Sequence, residues 1–238
     1  MNPCRRLPRR SAWRPVLRAA LAQLPCLTMA ASAMPEWPDT PLARLEAMAL
    51  IETLQTDLLS GNSATLVLER WCREHALAEP PQIRARRIDS EQEPPSTATR
   101  TELQLRAGEA VHFRRVELAC GDHVLSVAEN WYVPDRLTAA MNRQLDTTQT
   151  PFGKVVQPLH PQRQTLSAQL LWAPLPPGWE MARATRADTD TAPMPERLAV
   201  PAALFEHRAV LYVAGHRAIA AVHEVYQRDL LAFPVPPP

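Results

Sequence analysis

From Ala110 to Val133 the chain runs twice through an alternation of apolar and polar residues, with Gly121-Asp122 between the two runs. Alternation with a period of two puts successive side chains on opposite faces of a strand, so this stretch reads as an antiparallel hairpin with one buried face. Glu102–Arg106, closed by a turn at Ala107-Gly108, reads as a strand ahead of it and makes the unit a meander. Thr165–Trp172 is a further strand, Gln82–Ile88 a weaker one. Ala209–Val213 and Ala218–Tyr226 form a last hairpin about Ala214-Gly215-His216.

Two helices precede the strands. Thr40-Pro41 supplies a cap and a first-turn proline; Leu42, Leu45, Met48, Ile51, Leu54 and Leu58 recur at three or four, and Gly61 stops the helix. Asn62 and Ser63 can cap a second helix from Ala64 to about His75, which buries Val67, Leu68, Trp71 and Cys72. Leu137–Leu145 is a short helix, and Thr150-Pro151-Phe152-Gly153 a tight turn. Pro174–Pro201, rich in Pro, Ala, Thr and Asp, reads as a long surface loop. With no repeat and no second hydrophobic core, residues 34–238 are expected to form a single α+β domain: an antiparallel β-sheet flanked by helices.

Composition removes several function classes. Six glycines against 25 prolines leave no GxGxxG, Walker loop or GxSxG elbow. No apolar run reaches the ~18–20 residues of a membrane span. Six of the 26 basic residues are arginines within 1–33, where there is no acid, so residues 34–238 carry 20 bases against 25 acids. A mildly acidic body argues against nucleic acid as a partner.

Residues 1–33 read as a signal peptide: arginines to Arg18, an apolar stretch from Ala19, then Ala31-Ser32-Ala33 as an A-x-A cleavage site. The expected location is periplasmic or secreted, with no integral membrane segment after signal removal. The alternatives are a basic tail, or translation from Met34 and a cytoplasmic protein. Removing Cys4 and Cys26 leaves an even pair, and a Cys72–Cys120 disulfide is expected in an oxidising compartment; two buried thiols are the alternative.

Chemistry-bearing candidates are few. The seven histidines show no metal-ligand spacing, and His223-Glu224-Val225-Tyr226 has Gln227 where a zincin motif needs its second His. No metal and no cofactor are expected. Arg114 shares a strand face with Val116, Leu118 and Cys120, and a guanidinium among apolar neighbours calls for a carboxylate from the protein or a ligand. Glu224 shares a face with Ala220, Val222 and Tyr226. The bland readings are an edge-strand arginine reaching water and an ordinary salt-bridge partner.

Phe113-Arg114-Arg115-Val116-Glu117-Leu118, Trp131-Tyr132-Val133-Pro134, Thr150-Pro151-Phe152-Gly153-Lys154 and Ala221-Val222-His223-Glu224-Val225-Tyr226 follow one another as in the chorismate pyruvate-lyase family. Leu58-Leu59 with Ser63-Ala64-Thr65 is similar to an upstream segment of that family, so the resemblance spans roughly residues 50–230. It implies a chorismate lyase-like sheet enclosing a small aromatic-acid pocket. It also implies that Arg114 grips the carboxylate of 4-hydroxybenzoate and Glu224 meets its ring hydroxyl, both as ligand-binding and catalytic residues. The implied activity is elimination of pyruvate from chorismate, a cofactor-free step toward ubiquinone. The same fold also serves, without catalysis, as the sensing half of some transcription repressors. The alternative is therefore a non-catalytic periplasmic binding protein for a small aromatic carboxylic acid. The family's loop is shorter than Pro174–Pro201, which makes this segment an insertion.

Overall fold

A computed structural model describes residues 37–89, 91, 93–181 and 197–234. The expected signal peptide and most of the Pro-rich loop lie outside the described residues.

Thr40 and Ser63 start the two N-terminal helices as expected. Each side-chain oxygen accepts a backbone N–H three residues on, opening α1 (Pro41–Ser60) and α2 (Ala64–Glu74). Such caps contribute roughly 1 kcal/mol each. The buried stripe of α1 is Ala43, Ala47, Ile51, Leu54 and Leu58; Leu42 and Leu45, expected to face inward, are exposed. The helix begins against the core with small residues because its first turn lies close to the chain around Pro174, whose carbonyl accepts from Arg44.

Six strands follow: β1 (Ile83–Arg87), β2 (His112–Cys120), β3 (His123–Tyr132), β4 (Gln162–Leu170), β5 (Ala203–Val213) and β6 (Arg217–Gln227). They form one antiparallel sheet in the order β1-β2-β3-β6-β5-β4. The turn between β2 and β3 uses Gly121 at φ +55°, and a Cβ there would come within 2.7 Å of the Ala78 Cβ, so only glycine fits. The architecture is a single α+β domain, an antiparallel sheet flanked by helices.

Glu102–Arg106 is not a strand. Ser96 caps a short helix, α3 (Thr97–Glu102), and the chain then turns so that Leu103 is fully buried. Leu103 packs with Trp131, Val210, Ala218 and Ala221 on the face of the sheet away from α1 and α2, a second apolar cluster that the sequence reading did not expect. Arg136 pins this corner: its guanidinium donates to the Leu103 and Ala218 carbonyls and to Glu109. The Arg136 guanidinium holds the Glu109 carboxyl at a pKa of about 2. The tight turn expected at Thr150–Gly153 leads into a one-turn helix, α5 (Phe152–Val155), after α4 (Ala139–Thr147). β4 begins at Gln162, three residues before its expected start.

The opposite face carries the main core. α1 and α2 pack on Val116, Leu118, Ala128, Phe205 and Tyr226, while α4 and α5 pack on Tyr132, Leu211, Ala220 and Val222. Cys72 at the end of α2 and Cys120 at the end of β2 form a disulfide, with Cα atoms 6.4 Å apart. Among the described residues no helix is long and apolar enough to cross a membrane.

Candidate functional site

The helix-covered face of the sheet carries a row of polar side chains that alternation alone places there: Arg114 on β2, Asn130 on β3, Glu224 on β6, His207 on β5 and Arg163 on β4. All but Arg163 are buried, and so is the Arg163 side chain. Arg114 pairs across the ladder with Asn130, and Glu224 with Ala128 on one side and His207 on the other. Arg114 and Glu224 are thus two strands apart and two residues out of line, roughly 12 Å between Cα atoms at ordinary strand spacing and rise. The two residues singled out by the sequence share this face but not a cavity.

Glu224 lines a chamber of about 30 Å³ with Thr65, Asn130, Phe152 and Arg163; Asn62, Ser63, Gly153 and Pro161 of its lining also border a neighbouring space of about 300 Å³. The chamber itself has room for about two water molecules. Arg163 donates to Glu224 at 2.6 Å, and the Tyr226 hydroxyl donates to the same oxygen at 3.1 Å. Burial works against the Arg163 charge, but Glu224 outweighs it and holds the guanidinium pKa above its usual value. Burial, with Glu224 next to it, pushes the Tyr226 phenol well above its usual value. His207 has no hydrogen-bond partner on either ring nitrogen among the described residues, and burial lowers its pKa to about 4, so it is neutral. Gly153 closes the chamber: a Cβ there would lie 2.9 Å from Thr65 Oγ1 and 3.0 Å from Ser63 Oγ.

Arg114 lines a different cavity, a cleft of about 490 Å³, with Arg87, Ile88, His112, Tyr132 and Asp146 among its walls. This is a ligand-sized space. The Arg114 side chain is buried, yet Nε and Nη1 have no partner among the described residues. Burial and then the nearby Arg87 guanidinium push its pKa below the usual arginine value. Burial, with Asp146 close by, raises the Tyr132 phenol, which therefore stays a donor. The Tyr132 ring meets His112 edge-on at 5.6 Å and Phe152 at 5.5 Å, so the Tyr132–Phe152 contact stands between cleft and chamber. Arg115, on the opposite face, pairs with Glu129.

Sequence reasoning missed Arg163, Arg87 and Asp146. Arg163 fell outside the expected strand, whose late start hid its alternation with Thr165. Arg87 was the next-to-last position of a strand read only as weak, and Asp146 lies one residue beyond the expected end of its helix.

No family model matches the sequence. The chain is 41% identical over 222 residues to the uncharacterized protein y4mC of Sinorhizobium fredii (strain NBRC 101917 / NGR234), covering 93% of this chain and 92% of that one. It belongs to the same family as y4mC. Among solved structures it resembles the ligand-binding domain of a regulator assigned to the GntR family of Bordetella bronchiseptica, at 15% identity and TM-score 0.39, covering 62% of this chain and 84% of that one. The effector domain of PhnF from Mycobacterium smegmatis gives 11% identity and TM-score 0.39, with 62% and 82% covered. The periplasmic or secreted location expected from the N-terminus is corrected here. The matched structures are described as domains of transcriptional regulators, against which the expectation of export is withdrawn.

Proposed function

We propose that this chain is a non-catalytic binding domain for a small aromatic carboxylic acid, with Arg114 as the carboxylate anchor. The observation that carries the reading is the buried, unpartnered Arg114 guanidinium on a ligand-sized cleft. Burying an unpaired charge is costly, and a carboxylate accepting from two guanidinium nitrogens offsets that cost with charge-assisted bonds. The walls contributed by Ile88, His112 and Tyr132 suit a flat ring.

Chorismate pyruvate-lyase chemistry is the weaker reading. It needs a carboxylate anchor and an acid within reach of one substrate, whereas Arg114 and Glu224 line different cavities, and Glu224 Oε2 already accepts from Arg163 and Tyr226. Titration calorimetry with 4-hydroxybenzoate tests the proposal. Arg114→Ala should weaken binding by roughly tenfold to a few hundredfold, the worth of a charge-assisted pair. Binding that survives Arg114→Ala unchanged would remove Arg114 from the site. Incubation with chorismate, followed by 4-hydroxybenzoate absorbance, should give no product, and steady turnover would reverse the order of the two readings.

A further inference from the structure

The cleft holds an unspent acceptor as well as an unspent donor. Asp146, at the end of α4, lines the cavity with Arg114 and Tyr132. Its one ion-pair partner among the described residues is Arg87, 4.0 Å away, a separation too long for a hydrogen bond. Arg87 meanwhile donates to the Leu145 carbonyl, so its guanidinium is turned partly toward the helix end. Neither Asp146 oxygen accepts a hydrogen bond within the described residues. Asp146 is close enough to favour the charged form of Arg114 electrostatically, but the two form no ion pair. A cation and a carboxylate that face one cavity without meeting leave room for something between them that satisfies both.

Resting on the binding function proposed above, we infer that Asp146 selects the far end of the ligand. Its carboxylate accepts a hydrogen bond from a hydroxyl or amino group on the ring of an aromatic acid whose own carboxylate sits on Arg114. The role that the family resemblance gives to Glu224 thereby falls to a residue on another element, because Glu224 lines a different cavity from Arg114. A ring bearing only a carboxylate would satisfy Arg114 and leave Asp146 facing an apolar edge. Asp89, also on the rim, is the other carboxylate in reach of the cleft and is the natural control.

Calorimetry at neutral pH with benzoate, 3-hydroxybenzoate, 4-hydroxybenzoate and 4-aminobenzoate separates the possibilities. The unmodified protein should bind its best hydroxy or amino probe roughly tenfold more tightly than benzoate, as expected for one hydrogen bond to a charged acceptor. Asp146→Ala should cut that preference to about twofold while leaving benzoate affinity within about twofold, since the residue is half exposed and its loss removes no core contact. Asp89→Ala should leave the preference intact. If the preference survives Asp146→Ala, moves with Asp89→Ala instead, or is absent from the unmodified protein, the assignment to Asp146 is overturned while the Arg114 anchor stands. If none of the four probes binds, the anchor itself fails and Asp146 falls with it.

Discussion

The chamber and the cleft lie side by side on one sheet face and handle a buried arginine in opposite ways. In the chamber, Arg163 is matched by Glu224, and Tyr226 donates to the same carboxylate oxygen. Next to it, Arg114 is buried with two nitrogens unmatched. Arg163 keeps one buried nitrogen, Nε, without a partner but has a carboxylate of the fold on its Nη2; Arg114 has no such carboxylate among the described residues. Burial alone therefore does not mark a functional charge, whereas burial without a partner beside ligand-sized space does.

The sharpest way to break this contrast is to remove one half of the matched pair. Glu224→Ala should cost ~3–5 kcal/mol in urea unfolding, because it strands the Arg163 charge and the Tyr226 donor in the core. Replacing both partners, Arg163→Met with Glu224→Leu, should recover most of that loss. A single variant with no measurable cost would mean that water already solvates the pair.

Acid should expose the same region through His207. Its pKa is about 4 in the fold against about 6.5 unfolded, so the unfolded chain takes up the proton first as pH falls. This contribution to stability is fully present above pH 6.5 and is lost as pH falls toward 4, by about 2–3 kcal/mol. Denaturation midpoints across that window should show the slope in the native sequence and its loss in His207→Leu.

Arg114→Met should do the reverse of the Glu224 change, raising stability by ~1–2 kcal/mol while weakening ligand binding, since it removes a buried charge with no ion-pair or hydrogen-bond partner among the described residues. Destabilisation by that variant would show that Arg114 serves the fold after all. Smallest of all, Arg115→Ala should alter stability by less than about 0.5 kcal/mol, as for other exposed pairs.

Strand alternation made the inward direction of Arg114 and Glu224 legible, since Val116, Leu118, Ala220 and Val222 mark the buried face unambiguously. It could not say which way along that face a long side chain turns. That is decided by which partner lies in reach: Arg163 from β4 draws Glu224 away from β2, and β4 reaches its place at the sheet edge only through tertiary pairing with β5. The α1 stripe was misread in its first turns for a related reason. Leu42 and Leu45 fit the helical period as well as Ala43 and Ala47 do, and only close packing selects the smaller pair. Leu103 alternates with Leu105 as a strand would, yet the Ser96 cap and the Arg136 bonds hold it in a turn.

The disulfide has a consequence for how the cleft comes together. Residues 72 and 120 close a loop with a sequence separation of 48, and that loop contains β1, α3 and nearly all of β2. Arg87, Arg114 and Arg115, the three arginines that line the cleft, are all carried on it. Even in the unfolded chain the bridge keeps them on one covalent ring, which removes much of the loop-closure search that pairing β1 with β2 would otherwise require. With the ring intact, the β1–β2 contacts behave as short-range ones, and short-range contacts form early in folding.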